Sequence, residues 1–86
     1  MAAWSLYGVF LPGPKWAMTT NKKKALAAAK EGEGYVTRMP YPHSNGAWDA
    51  PTFRVCSELV ADYTEGQRVT RAIAGESLPP DPVWSV

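Results

Sequence analysis

Cys56 and His43 are the two side chains of this sequence whose types could begin nucleophilic catalysis. A thiol becomes a useful nucleophile when a base such as histidine lies within hydrogen-bond distance of it. Cys56 falls on the apolar side of a helical pattern, where a thiol is usually inert packing. His43 lies in a loop of Pro, Ser and Asn, where a lone imidazole is ordinarily solvated. We therefore expect no catalytic residue, and we predict that the chain is not an enzyme.

The sequence also contains few residues that could form a metal or cofactor site. One Cys and one His leave no zinc-ligand spacing, and the acidic residues are scattered singly through the second half. Gly32 and Gly34 follow a predicted helix, whereas phosphate-binding glycine loops precede one. We expect no metal and no cofactor.

A lysine cluster is the strongest sign of a nucleic-acid partner. Lys22, Lys23 and Lys24 occupy the first turn of a predicted helix, and Lys15 is close in sequence. Phosphate contacts need Lys or Arg held on a firm element, so these four are candidate nucleic-acid contacts. Against this, the net charge is only +1, and dedicated nucleic-acid binders tend to be strongly basic. Cations at a helix N-terminus also oppose the macrodipole.

The second candidate surface is a Pro-rich C-terminal tail, residues 76–86, which follows a single domain of residues 1–75. Such a segment favours polyproline II and loses little entropy when it docks into a groove. It can dock on its own domain, remain frayed, or bind a partner. Its candidate partner contacts are Leu78, Pro80, Pro82 and Trp84.

Local signals predict the elements that must position these residues. Proline and glycine mark a turn between two strands, and Thr20 or Asn21 can cap an Ala/Lys-rich helix that Gly32 or Gly34 ends. Both faces of the first strand are apolar, which indicates a central position. The predicted elements are the strands Trp4–Leu11 and Lys15–Thr19, the helix Lys22–Glu31 and the strand Tyr35–Met39.

Residues 51–63 fit two structures. A helix capped by Asp49, with Pro51 in its first turn, places the apolar side chains of 53–63 on one side. A strand also fits, because Phe53, Val55, Leu59 and Ala61 alternate, but it places Cys56 and Val60 on the charged face. We prefer the helix, and we predict a last strand over residues 69–74.

The sequence therefore predicts an α+β fold in which one or two helices cover one face of a small antiparallel sheet of three to four strands, in the order ββαβ(α)β. The expected core residues are Trp4, Leu6, Phe10, Trp16, Leu26, Val36, Phe53, Val55, Leu59, Val60 and Tyr63.

Composition favours a reducing compartment for this domain. A chain of 86 residues with 45% hydrophobic residues is one folded domain, and a single Cys forms no internal disulfide. We see no targeting signal and no membrane-spanning run, so we expect a cytoplasmic protein without a membrane partner. Residues 1–38 carry net charge +4 and residues 39–86 carry −3. These opposite charges can complement each other within one globule or between copies of a homo-oligomer.

The stretch WSLYGVFLPGPKWAMTTNKKKALAAAKEGEGYVTRMPY, residues 4–41, resembles the small accessory proteins encoded by phages of actinobacteria. The resemblance implies a protein that acts in the host cytoplasm, often by binding a host macromolecule. We therefore expect a non-enzymatic protein-interaction module, and we expect its partner to be another protein. The alternatives are a nucleic-acid binder and a self-assembling structural or virion accessory protein.

Overall fold

The computed structural model describes residues 4–12, 15–65 and 81–85, and in them the chain forms a four-stranded antiparallel sheet with two α-helices. The α+β fold class is confirmed. The predicted strand at 69–74 and part of the Pro-Gly-Pro turn lie outside the described residues. The elements are β1 (Ser5–Leu11), β2 (Lys15–Thr19), α1 (Lys22–Gly32), β3 (Tyr35–Pro40), a 3₁₀ turn (His43–Asn45), α2 (Ala50–Cys56) and β4 (Glu58–Asp62).

β1 lies at the centre of the sheet, as its two apolar faces predict. The strand order is β2-β1-β3-β4, so β1 has a hydrogen-bonded neighbour on each side. Phe10 faces Trp16 across one ladder and Tyr35 across the other. Because β2 and β3 flank β1 and both run antiparallel to it, the connection through α1 crosses over β1.

Side-chain and backbone groups define the two ends of α1. The Asn21 side chain accepts a hydrogen bond from the Lys24 amide at 3.1 Å, which selects Asn21 over Thr20 as the N-cap. At the other end, the left-handed residue is Glu33, with φ of 56°, and not one of the predicted glycines. Gly34 is required for a different reason, because a Cβ there would lie 2.1 Å from the Phe10 carbonyl oxygen.

The two helices cover opposite faces of the sheet, which corrects the expectation that they share one face. Ala25 and Ala29 of α1 are fully buried against Val9, Ala17 and Val36. On the other face, the α2 residues Ala50 and Phe53 pack in a cluster with Leu6, Phe10, Trp16, Tyr35 and Met39. Successive residues of a strand point to opposite faces of the sheet. Because β1 is apolar on both faces, each face must be covered by a helix.

Residues 51–63 divide into a short helix and a strand, so the preferred single helix is wrong. Asp49 caps α2 and Pro51 lies in its first turn, as predicted, but the helix ends at Cys56. The amide and hydroxyl of Ser57 both donate to the Phe53 carbonyl oxygen, and the chain then extends into β4. β4 satisfies backbone groups of β3 that a continuous helix would leave without strand partners.

Three of the predicted core residues are exposed, and for Val55 and Leu59 this division is the reason. Val55 is 81% exposed, Leu59 47% and Trp4 36%. Leu6, Phe10, Trp16, Val36 and Phe53 are buried as expected, and Leu26, Val60 and Tyr63 pack against the core while partly buried. The core also contains residues that the sequence interpretation missed, namely Val9, Ala17, Ala25, Ala29, Tyr35, Met39 and Ala50.

Candidate functional site

The four candidate lysines do not form one surface. Lys22, Lys23 and Lys24 are all exposed in the first turn of α1. Lys15 begins β2 and pairs with Leu11, so four residue steps of roughly 3.3 Å each separate it from Thr19, at the end of β2 that leads into α1. Consecutive helical residues also point in different directions, about 100° apart. The structure therefore places Lys15 at the far end of β2 from the lysine triplet.

Lys24 already has a partner in the tail. Its ammonium nitrogen lies 4.5 Å from the centre of the Trp84 ring, which is a cation–π contact. The Trp84 ring packs against the cluster that joins α1 to the sheet. One of the three lysines is thus committed to an intramolecular contact.

The described part of the tail docks on the outer edge of β2. The Met18 amide donates to the Trp84 carbonyl oxygen at 3.0 Å, and the Val83 amide donates to the Trp16 carbonyl oxygen. Pro82 and Trp84 are partly buried, whereas Val83 is exposed. Leu78 and Pro80 lie outside the described residues. Of the three arrangements that the sequence left open, the structure shows residues 81–85 docked on their own domain.

The two candidate nucleophilic-site residues are both at the surface. His43 is exposed at the start of the 3₁₀ turn, as expected. Cys56 ends α2 and is exposed, which corrects its placement on an apolar, packed face. The prediction that the thiol is buried assumed a helix that continues to Tyr63, whereas α2 ends at Cys56. Among residues 4–12, 15–65 and 81–85, no group of three His, Cys, Asp or Glu side chains is arranged to hold a metal ion.

An open pocket of about 280 Å³ lies on the face of the sheet that α2 covers. Leu6 and Met18 contribute apolar side chains from β1 and β2, and Trp4 lines the pocket just before β1 begins. The remaining lining residues are small or polar: Ser44, Asn45, Gly46 and Ser85. The arrangement offers an apolar surface with polar groups beside it, which suits a hydrophobic side chain whose backbone stays hydrated.

Hydrogen bonds hold the loop side of this pocket in place. The buried Ser44 hydroxyl donates to the Trp4 carbonyl oxygen at 3.0 Å, which ties the 3₁₀ turn to the start of β1. The Trp48 indole N–H donates to the His43 carbonyl oxygen at 2.9 Å, and its ring lies edge-on to Phe53. These contacts therefore connect the loop, the sheet and α2 around the pocket.

Trp4 and Tyr41 form an exposed aromatic pair beside the pocket. Their ring centres are 6.0 Å apart with planes tilted by 57°. Ser5 pairs with Pro40 at this end of the sheet, which brings the two flanking aromatic residues together. Sequence interpretation assigned Trp4 to the core and left Tyr41 unused. Their position could have indicated exposure, because both residues lie just outside the ends of their strands.

Comparison of the chain with protein-family models, with curated proteins and with solved structures found no match. In the part of the chain that the structure describes, no helix combines the length and the apolar character needed to span a membrane.

Proposed function

We propose that this chain is a non-enzymatic protein-interaction module, and that the pocket beside Trp4 is its binding site. The observation that carries the proposal is an exposed tryptophan at the edge of an open, apolar-lined pocket. Tryptophan and tyrosine are enriched among the residues that dominate interface energies, and both are present here as a contacting pair.

The size of the pocket favours a protein side chain as its occupant. Pockets for small molecules and cofactors usually enclose about 300–1,000 Å³ and bury most of their ligand. This pocket has about 280 Å³ and is open, so it fits one aromatic or branched apolar side chain of a partner. The polar groups of Ser44, Asn45 and Ser85 then lie where a partner's backbone would pass.

The resemblance of residues 4–41 to accessory proteins of actinobacterial phages supplies the proposed setting. In that setting the module acts in the host cytoplasm on a host protein. A lysate of an actinobacterium is therefore the first source in which to search for the partner.

The test compares capture by three baits: the full chain, its W4A variant, and a V55A variant. Val55 is a highly exposed apolar residue that does not line the pocket, so V55A is a matched control. We expect a protein that is captured by the wild-type and V55A baits and lost with W4A. Equal capture by all three baits, or no capture above background, would contradict the proposal.

Nucleic-acid binding is the second candidate function, and exposure of Lys22, Lys23 and Lys24 favours it. No acidic residue occupies the first turn of α1 to neutralise them. The test is a salt titration with DNA and RNA, in which binding at about 50 mM salt should weaken steeply as salt rises. Absence of binding at low salt, or binding that survives replacement of all three lysines by alanine, would exclude this function.

A further inference from the structure

The docked tail, residues 81–85, contacts both faces of the sheet. The Trp84 ring packs against the cluster between α1 and the sheet, whereas the next residue, Ser85, lines the pocket on the face that α2 covers. Successive residues of an extended chain point to opposite sides, so two neighbours in sequence can reach the two faces. Docking of Trp84 on one face therefore places Ser85 at the pocket on the other.

Met18 links the tail to the pocket a second time. Its amide donates to the Trp84 carbonyl oxygen at 3.0 Å, and its side chain lines the pocket together with Leu6. One residue of β2 thus holds the tail backbone and also forms part of the pocket surface. If the tail leaves β2, the Met18 amide loses its partner and the pocket loses Ser85 in the same event.

The side chains that anchor the tail lie outside the pocket. The Lys24 ammonium lies 4.5 Å from the centre of the Trp84 ring, and neither residue lines the pocket. The cluster on which the ring packs contains Ala25 and Ala29, whose small side chains leave room for it. Ser85 is itself exposed. Its position at the pocket is therefore set by an anchor on the opposite face.

We propose that Trp84 is a positioning residue for the pocket, and that the pocket binds its occupant more tightly when the tail is docked. The inference rests on the proposed function, because it needs the pocket to bind an apolar side chain. An occupant that contacts Ser85 as well as Trp4 and Met18 favours the docked state over the undocked one. The Trp84 contact on one face and the pocket on the other are then coupled.

The effect of a change at residue 84 follows from the fraction of molecules whose tail is docked. The apparent affinity of a ligand falls in proportion to the fraction of the protein that is in the binding-competent state. Wild type holds its tail by backbone hydrogen bonds, burial of the ring and a cation–π contact. W84A keeps only the backbone bonds, which water replaces when the tail is undocked. We therefore expect W84A to bind with the weaker affinity of the undocked state.

NMR titration of the full chain with N-acetyl-phenylalanine methylamide measures the coupling. This probe offers one aromatic side chain between two peptide groups, and its binding should shift the signals of Trp4 and Gly46, which line the pocket. We expect W84A to bind it at least about fivefold more weakly than wild type, the lower end for coupled sites. W84F keeps an aromatic ring and should recover most of the loss. V55A, which removes an exposed side chain outside the pocket, should bind as wild type does.

The outcomes separate this inference from the proposed function. Equal affinity of wild type and W84A overturns the coupling and leaves the pocket as a binding site. No binding by wild type overturns both. Nuclear Overhauser contacts to the probe exclude a merely structural role of Trp84. In W84A the bound probe should keep its contacts to Met18 and lose those to Ser85, and contacts to Ser85 that persist in W84A overturn the proposal.

Hydrogen exchange of the wild-type chain keeps the test decisive if W84A folds poorly. Undocking of the tail exposes the Met18 amide but leaves the Ala17 amide bonded to β1, so Met18 should exchange faster than Ala17 in the free chain. Saturation with the same probe should slow exchange at Met18 about fivefold or more, because coupling between two sites is reciprocal. Equal rates at the two amides in the free chain, or a Met18 rate that the probe leaves unchanged, overturns the proposal.

Discussion

Gly8 shows at the scale of one residue why α2 can cover the sheet. A Cβ at this position would lie 2.6 Å from Cε1 and 2.8 Å from Cδ1 of Phe53. The Phe53 ring is fully buried and contacts the rings of Phe10, Trp16 and Trp48. Because its neighbours are aromatic on three sides, the ring has little freedom to move away. The absence of a side chain at residue 8 therefore creates the space for Phe53.

We expect Gly8→Ala to destabilise the fold by about 1–3 kcal/mol, because overpacking forces strain into a dense core. Alanine is otherwise preferred over glycine within a strand by roughly 0.5–1 kcal/mol, so a net loss identifies the clash with Phe53. Urea unfolding measures the effect. In the F53L background, where the ring is gone, the same G8A change should cost much less. Additive effects of the two changes would contradict the packing argument.

The stabilisation that Asp49 gives to the N-terminus of α2 depends on pH. Its carboxylate accepts hydrogen bonds from Thr52, including the backbone amide at 2.9 Å, and these bonds lower the pKa of Asp49 below its ordinary value of 3.8. Because the pKa of Asp49 is lower in the folded state, its charge stabilises the fold at pH values above the ordinary pKa. That stability is lost as the pH falls through the folded value.

The measurable consequence is a pH-dependent difference between wild type and D49N. Asn remains a good N-cap but carries no charge to titrate. The stability advantage of wild type over D49N should therefore shrink between about pH 6 and about pH 2.5. Urea unfolding at both pH values is the measurement. An advantage of equal size at both values would show that the Asp49 charge does not contribute, while D49A should lose the cap at either pH.

At the scale of an element, the start of α1 carries three lysines with different surroundings. All three oppose the helix dipole, by roughly 0.3–1 kcal/mol each at a helix end. Lys24 differs because its ammonium lies over the Trp84 ring, a contact worth about 0.5–1 kcal/mol at an exposed site. The two effects have opposite sign and similar size.

We therefore expect K22Q and K23Q to stabilise the fold by a few tenths of a kcal/mol, since each only relieves the dipole. K24Q should leave stability unchanged or lower it, because the cation–π contact is lost as well. Thermal or urea unfolding of the three single variants provides the comparison. If K24Q stabilises as much as the other two, the Lys24–Trp84 contact contributes nothing to folding.

The helix α2 is short because the chain after Ser57 forms a strand that pairs with β3. β4 pairs with β3 from Tyr35↔Asp62 to Arg38↔Glu58, with an irregularity that leaves Val60 as an extra residue between paired neighbours. Val60 then packs against the α1 face while Leu59 remains exposed. Arg38 reinforces the junction by donating to Ser5 and to Glu58.

Val55 distinguishes this arrangement from a continuous helix over 51–63. In a continuous amphipathic helix Val55 belongs to the buried face, and a lysine there would cost several kcal/mol of burial. In the observed structure Val55 is 81% exposed, so V55K should change stability by less than about 0.5 kcal/mol. Denaturant unfolding of V55K tests this. A loss of more than about 2 kcal/mol would show that the side chain is buried in solution.

At the scale of the whole molecule, the tail covers backbone groups on the outer edge of β2. Without residues 81–85, β2 would be paired with β1 alone within the described sheet. With them, the Met18 amide is hydrogen-bonded on the outer side and the Trp16 carbonyl oxygen has a donor. An exposed edge strand is a template for unwanted pairing, so the docked segment also protects the sheet.

Hydrogen exchange tests this role one amide at a time. The Met18 amide points to Trp84, whereas the alternation of an antiparallel ladder directs the Ala17 amide to β1. In W84A we expect faster exchange at Met18 and little change at Ala17. Unchanged protection of Met18 would mean that the segment stays docked without its tryptophan, and equal acceleration of both amides would indicate general destabilisation.

Much of the fold follows from the sequence because its signals are local. The apolar faces of β1, the turn after it, the capping residues Asn21 and Asp49 and the alanine-rich α1 each act within a few residues. They determine the hairpin, both helix starts and the α+β class. The Lys22–Lys24 triplet and the tail were also visible as candidate surfaces, because charge and proline content are properties of sequence alone.

Tertiary structure decided the features that depend on distant partners. The helix ends at Ser57 because β3 supplies backbone partners to β4, and α2 takes the second face because Gly8 leaves space for Phe53. The pocket needs Trp4, Met18 and Ser85 from three separate segments, and Trp84 docks where β2 and Lys24 meet. The periodicity of a segment reports how its own side chains are arranged, but not which backbone edge or open space lies opposite them.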